Sequence, residues 1–157
     1  VFTSDIINYM RSKHNLYVGE RTAEKIKIII GSVIEDLDNP PDEMSVQGRD
    51  LLSGKPKQVV INHAEIAKAL DKSIVRIEDA ILEALSQTPP ELAADIVDKG
   101  IVLTGGGALL NNMDSVIREA TGLPVSIAEE PLSCVALGTG RCLEEMKVMR
   151  NVLIGAY

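Results

Sequence analysis

The chain has 157 residues, 45% apolar and 25% charged, which are values of a globular domain long enough to bury a core. A formal net charge of −7, with no arginine–lysine clusters interleaved with aromatics, excludes a general nucleic-acid binder, which needs a cationic footprint. No apolar stretch reaches the ~18 residues of a membrane span and no signal peptide is evident, so a cytoplasmic setting is expected.

Ile6, Ile7 and Met10 predict a helix over about residues 4–14, and Gly19 breaks the pattern. A second helix is predicted from Glu20 or Arg21 to about Ser32, with Ala23, Ile26, Ile29 and Ile30 as its apolar stripe. Glu24 and Lys27, three apart, share one face of it and by themselves read as a solvated ion pair. The acidic, proline-broken stretch 35–43 reads as a loop or subdomain boundary. Period-two alternation at Met44–Gln47 and Gln58–Ile61, with turn chemistry at Ser53-Gly54-Lys55-Pro56, predicts a hairpin. Asn62 reads as an N-cap, with Glu65 completing a capping box. Ile66, Leu70, Ile74, Ile77, Ile81 and Leu85 then mark one long helix, or two broken near Asp71.

Thr88-Pro89-Pro90-Glu91 is a second start signal, a threonine cap with proline at the first helical position, for a short helix to about Val97. The β-branched run Ile101-Val102-Leu103-Thr104, bounded by Gly100 and by Gly105-Gly106-Gly107, has the look of a buried strand. Behind it Met113, Val116, Ile117 and Ala120 set a helical pattern that Gly122 ends. Val125–Ala128 reads as another strand. A final helix from about Ser133 to Met149 carries Gly138 and Gly140, which suggest close packing against another helix, a hinge, or a helix of poor propensity. The order is that of a mixed α/β protein.

Three successive glycines leave a backbone without β-carbons, against which a flat ligand can lie. Strand, glycine turn and helix together are how α/β proteins build nucleotide pockets, although a tight connection without any ligand has the same pattern. Neither a phosphate loop of the Gly-x-x-x-x-Gly-Lys-Ser/Thr kind nor Gly-x-Gly-x-x-Gly is complete, because Leu110 stands where the third glycine would be. The first cation after the turn is Arg118, so the turn suits a base and ribose better than a triphosphate. Cys134 and Cys142 stand eight apart, which fits neither a zinc pair nor a redox motif, and read as two buried thiols. His14 and His63 join no ligand cluster and read as surface or capping residues.

These motifs carry a resemblance to the actin superfamily, most closely to its bacterial MreB family. Ile101–Leu110 resembles the family's adenosine motif, and Gly19–Lys27 the helix that faces adenine and ribose. Ser45–Leu51 and Thr88–Ile96 are similar to stretches characteristic of the MreB family, and Ala136–Gly140 resembles the second connecting motif. The likeness runs over essentially the whole chain. It implies an actin-like ATPase fold of the ribonuclease H-like kind, with this chain as its second half. On that reading a larger subdomain spans 1–36 and 88–136, a smaller α+β subdomain is inserted at 37–87, and a C-terminal helix at 137–157 packs toward the first half.

The resemblance further implies that Glu24 takes the ribose hydroxyls, that Lys27 lies near the base, and that Gly105, Gly106, Gly107 and Ala108 form the opposite wall. The cofactor implied is ATP with Mg2+, whose ligands and the catalytic groups are expected upstream of Val1, in a longer protein. No catalytic residue and no metal ligand is assigned to this chain, and the opening Val1–Asp5 departs from the family pattern and takes no role. The function implied is that of a filament-forming cytoskeletal protein at the inner face of the cell membrane, which sets rod shape by organising cell-wall synthesis. Its partners would be further copies of itself, a membrane-linked adaptor and cell-wall synthesis proteins, with membrane association through the other half. A sugar kinase-like phosphotransferase and a chaperone ATPase of the same superfamily are the alternatives.

Overall fold

The structure, a computed structural model, describes residues 1–146 and 148–150. Its elements in chain order are α1 (Phe2–His14), β1 (Leu16–Tyr17), α2 (Glu20–Ile30), β2 (Met44–Asp50), β3 (Pro56–Ile61), α3 (His63–Ser86), α4 (Pro90–Lys99), β4 (Ile101–Leu103), α5 (Met113–Thr121), β5 (Val125–Ile127) and α6 (Cys134–Glu144). A single 3₁₀ turn, Gly106–Leu109, joins β4 to α5.

Two small sheets divide the strands. The hairpin β2–β3 is antiparallel, with Val46 opposite Val59 and Gln47 opposite Gln58, and β1 adds on the other side of β2 through Leu16–Asp50 and Tyr17–Arg49. β4 and β5 pair in parallel, Val102 beside Ser126, with the turn and α5 as the crossover. β1 was not legible in the sequence, since two residues are too short for alternation to register.

One contiguous core holds these pieces together. Ile6 and Met10 of α1, Ala23, Ile26 and Ile30 of α2, and Ile66, Leu70 and Ile74 of α3 meet Leu16, Val46 and Ile61 of the three-stranded sheet. Leu110, Met113, Ile117 and Val125 extend the same cluster under the parallel pair. Burying an aliphatic side chain of this kind stabilises by about 1.5–3 kcal/mol. Ile29, assigned to the apolar stripe of α2, is instead 55% exposed, because the stripe is followed by Ala23, Ile26 and Ile30 alone.

The Ile66–Leu85 pattern forms one unbroken α3 of 24 residues, so no break falls at Asp71. The Asn62 side chain accepts from the Glu65 amide at 3.0 Å, which makes the predicted cap. Its reciprocal half is not made. The Glu65 carboxylate turns to Nε2 of His14 at 2.9 Å and accepts from the Tyr9 hydroxyl at 3.4 Å, tying the start of α3 to the end of α1. His14 is therefore a partly buried hydrogen-bond partner of Glu65 rather than a surface or capping residue. His63 is half-buried at the start of α3, with Nε2 2.8 Å from the Glu35 carbonyl oxygen.

Three further expectations are corrected. Thr88 does not cap α4: its hydroxyl donates back to the Ala84 carbonyl at 2.8 Å, Pro89 takes the cap position, Pro90 opens the helix, and it runs on to Lys99. β4 is not fully buried, because Val102 is 58% exposed on a sheet of only two strands among the described residues. Cys134 and Cys142 are half-buried, since α6 has no buried residue in the described part of the chain. For the same reason a β-carbon at Gly138 or Gly140 would meet no atom within 4 Å, so these glycines pack closely against no described element. The expected final helix is α6, Cys134–Glu144, followed after a turn at Glu145 by helical backbone at 146 and 148–150, and residues 147 and 151–157 of the predicted C-terminal helix lie outside the described residues.

Candidate functional site

The glycine turn begins where β4 ends. Gly105 has φ 80° and ψ 173°, a region of backbone space that is essentially open to glycine alone. Its amide donates to the Pro131 carbonyl at 2.6 Å, which holds the 128–132 loop against the turn. Gly106 to Leu109 then make one 3₁₀ turn that sends Ala108 and Leu110 into the core and leaves Leu109 outside.

A short bridge fastens this turn to the end of α2. The Asn111 amide donates to the Gly31 carbonyl at 3.3 Å, and the Val33 amide donates to the Asn111 carbonyl at 3.1 Å. Between them Ser32 is fully buried, its hydroxyl donating to the Ile34 carbonyl at 2.9 Å. A burial this deep is tolerated because the hydroxyl is satisfied. Gly31 permits the approach, since a β-carbon there would run into the Lys27 carbonyl and stand 2.7 Å from Leu110 Cδ2.

Between the two fastened elements lies a cleft of about 280 Å³, lined by Glu24, Lys27, Ile28, Gly106, Leu109, Leu110 and Leu132. Its floor is bare main chain at Gly106 and its sides are the apolar Ile28, Leu109 and Leu132. Glu24 and Lys27 stand at one end as an ion pair of 2.6 Å, with only 15% of the Lys27 side chain exposed. The other Glu24 oxygen accepts from the Thr3 hydroxyl at 2.8 Å. The Lys27 contact first, and then the Thr3 hydrogen bond, hold the Glu24 carboxyl below its ordinary value of 4.5, so it is ionised at neutral pH.

The chemistry open to such a site is binding. An apolar slot with a carboxylate acceptor at its end takes a flat ring carrying a pair of hydroxyls. Ligand pockets usually run from about 300 Å³ upward, so this cleft is at the small end of that range. Among the described residues no group of three or more His, Cys, Asp or Glu is placed to hold a metal ion.

Of the six residues singled out in the sequence, Glu24, Lys27 and Gly106 line the cleft together. Gly105 and Gly107 flank it in the turn, and Ala108 is buried beneath it. Arg118, the first cation after the turn, is tied to Asp114 at 3.0 Å and to the Val125 carbonyl at 3.1 Å, and does not line the cleft. Sequence reasoning missed Ile28, Leu132 and Thr3. Ile28 alone left a trace, as an isoleucine outside the apolar stripe; it is 73% exposed beside the ion pair.

Comparisons with known proteins converge on one family. A family model described as MreB/Mbl protein matches residues 1–151. The cell shape-determining protein Mbl of Bacillus subtilis is 45% identical over 145 residues, 92% of this chain and 43% of that protein. The cell shape-determining protein MreB of Escherichia coli is 48% identical over 146 residues, 91% of this chain and 41% of that protein. The chain thus spans less than half the length of the relatives it matches. Among solved structures, MreB5 of Spiroplasma citri bound to AMPPNP superposes with a TM-score of 0.86 at 40% identity, over 98% of this chain and 45% of that one. The MamK filament, at 18% identity and a TM-score of 0.62, shares the fold.

Proposed function

The chain belongs to the MreB/Mbl family and has its actin-like α/β fold, and from that premise we propose that it supplies the nucleoside-binding wall of an ATP-binding, filament-forming bacterial cytoskeletal protein. The observation that carries this reading is the cleft in which the Glu24–Lys27 pair faces the bare backbone of Gly106. Adenine would lie in the slot between Ile28 and Leu109, with the Lys27 stem covering a ring edge and the Glu24 carboxylate accepting from the two ribose hydroxyls. Gly105, Gly107 and Ala108 would shape the opposite wall through their backbone. Two related structures of MreB5 hold AMPPNP and ADP, which supports a nucleotide in this fold. Magnesium and the hydrolytic groups would come from the remainder of the intact protein.

In the intact protein, segments 1–36 and 88–136 would form a larger subdomain, 37–87 an inserted smaller one, and 137–157 a helix directed at the first half. Filaments would form by contact between copies, guide cell-wall synthesis with a membrane-linked adaptor at the inner face of the membrane, and so determine rod shape. The test is sedimentation of the intact protein with and without ATP, beside the Glu24→Ala variant. Wild type should pellet with ATP and the variant should need far more nucleotide. A protein that stays in solution and consumes ATP when offered a sugar would instead be a kinase of the same superfamily.

A further inference from the structure

We propose that Thr3 is a positioning residue of the nucleoside slot: its hydroxyl fixes the plane in which the Glu24 carboxylate meets the two ribose hydroxyls. The inference rests on the nucleoside reading above and adds a residue from the first turn of α1, which contributes nothing to the cleft lining itself.

Glu24 has two partners, one for each oxygen. Lys27, one turn along α2, holds Oε1 at 2.6 Å, and Thr3, from another helix, holds Oε2 at 2.8 Å. An ion pair within one helix leaves a carboxylate free to rotate, and 45% of the Glu24 side chain is exposed. A second bond from a different element, to the other oxygen, removes that rotation. A carboxylate offers about four acceptor positions, of which this arrangement uses two. One remains on each oxygen, the complement of two adjacent hydroxyls.

The support is stiff. Thr3 is β-branched, so few χ1 settings are open to it. Its neighbours in the same turn are anchored on both sides, Phe2 against Gly107 and Asp5 by a 2.6 Å hydrogen bond from Ser73 of α3. The alternative position for the Glu24 carboxylate is also on view. A polar recess of about 370 Å³, lined by Thr3, Ser4, Glu20, Arg21 and Glu24, opens on its other side. Without the Thr3 hydroxyl, the Arg21 guanidinium in that recess would draw the carboxylate away from the slot.

The experiment is calorimetric titration of the intact protein with ADP and with 2′-deoxy-ADP, for wild type, Thr3→Val, Thr3→Ser and Glu24→Ala. Thr3→Val keeps the side-chain shape and should weaken ADP by about three- to tenfold, the worth of one net hydrogen bond. It should change 2′-deoxy-ADP by less than about twofold, and Thr3→Ser should restore the preference for ADP. Equal weakening of both nucleotides by Thr3→Val, or none at all while Glu24→Ala is weak, would overturn the positioning role and leave the slot standing. Unchanged ADP affinity in Glu24→Ala would remove the slot reading itself.

Discussion

The Phe2 ring lies directly beneath Gly107: its Cε2 atom is 3.1 Å from where a β-carbon on that glycine would stand. The first turn of α1 thus touches both walls of the cleft, the glycine turn through Phe2 and α2 through Thr3. A Gly107→Ala change would press a methyl group against the ring, which would have to shift by a few tenths of an ångström. Overpacking of this kind costs about 1–3 kcal/mol. Urea denaturation should show that loss as a lower midpoint with an unchanged slope, and an unaltered midpoint would mean that the ring moves aside freely.

Gly106 differs from its neighbour in what surrounds it. A β-carbon there would meet only Leu132 Cδ2, at 3.5 Å, an ordinary contact, and would project into the cleft. Gly106→Val should therefore leave the fold near wild-type stability while filling the floor of the slot. In the intact protein the variant should lose ATP binding by calorimetry, with its melting temperature in the absence of nucleotide within a few degrees of wild type. ATP affinity equal to wild type would show that no base lies against the turn.

Much of the local structure, at the candidate site and at the start of α3, was legible in the sequence. The glycine triplet follows a β-branched run, Glu24 and Lys27 repeat at helical spacing, and Asn62 stands three residues before Glu65; each is a pattern within a few residues. What brings the two walls together was not legible. The Ser32–Asn111 bridge and the Phe2–Gly107 contact join distant segments through main-chain groups and ring packing, which leave no periodic trace. Exposure failed for a related reason. Composition marks Ile29, Val102 and the two cysteines as apolar, but whether they are buried depends on which element lies over them.

Glu24 sets the acid limit of the site. Its carboxyl is held below 4.5 in the folded chain, by Lys27 first and Thr3 second, so the charged form is favoured by folding. A depressed carboxylate contributes fully above its ordinary value, and that contribution disappears as pH falls through the lowered folded value. The difference in ADP affinity between wild type and Glu24→Gln should be flat from neutral pH down to the ordinary value of 4.5 and shrink as pH falls through the lowered one. Thr3→Val removes one of the two lowering contacts and should move the decline to higher pH. A difference that already shrinks between pH 7 and 6 would contradict the ionised, doubly bonded carboxylate.

Gly48 in the three-stranded sheet has no room for a side chain. It sits in β2 beside the end of β1, and a β-carbon would stand 2.5 Å from the Tyr17 carbonyl oxygen and 2.9 Å from Leu16 Cγ. Backbone cannot yield there without breaking the Leu16–Asp50 and Tyr17–Arg49 pairing, and Leu16 is fully buried in the shared core. Gly48→Ala should consequently cost about 1–3 kcal/mol, at the upper end because a main-chain atom is the obstacle. Amide exchange offers the sharper reading: protection should fall at Leu51, whose amide donates to the Asn15 carbonyl at 2.8 Å, while the β4–β5 pair keeps its protection. Loss of protection in both sheets together would mean that β1 is held by the whole core and not by β2.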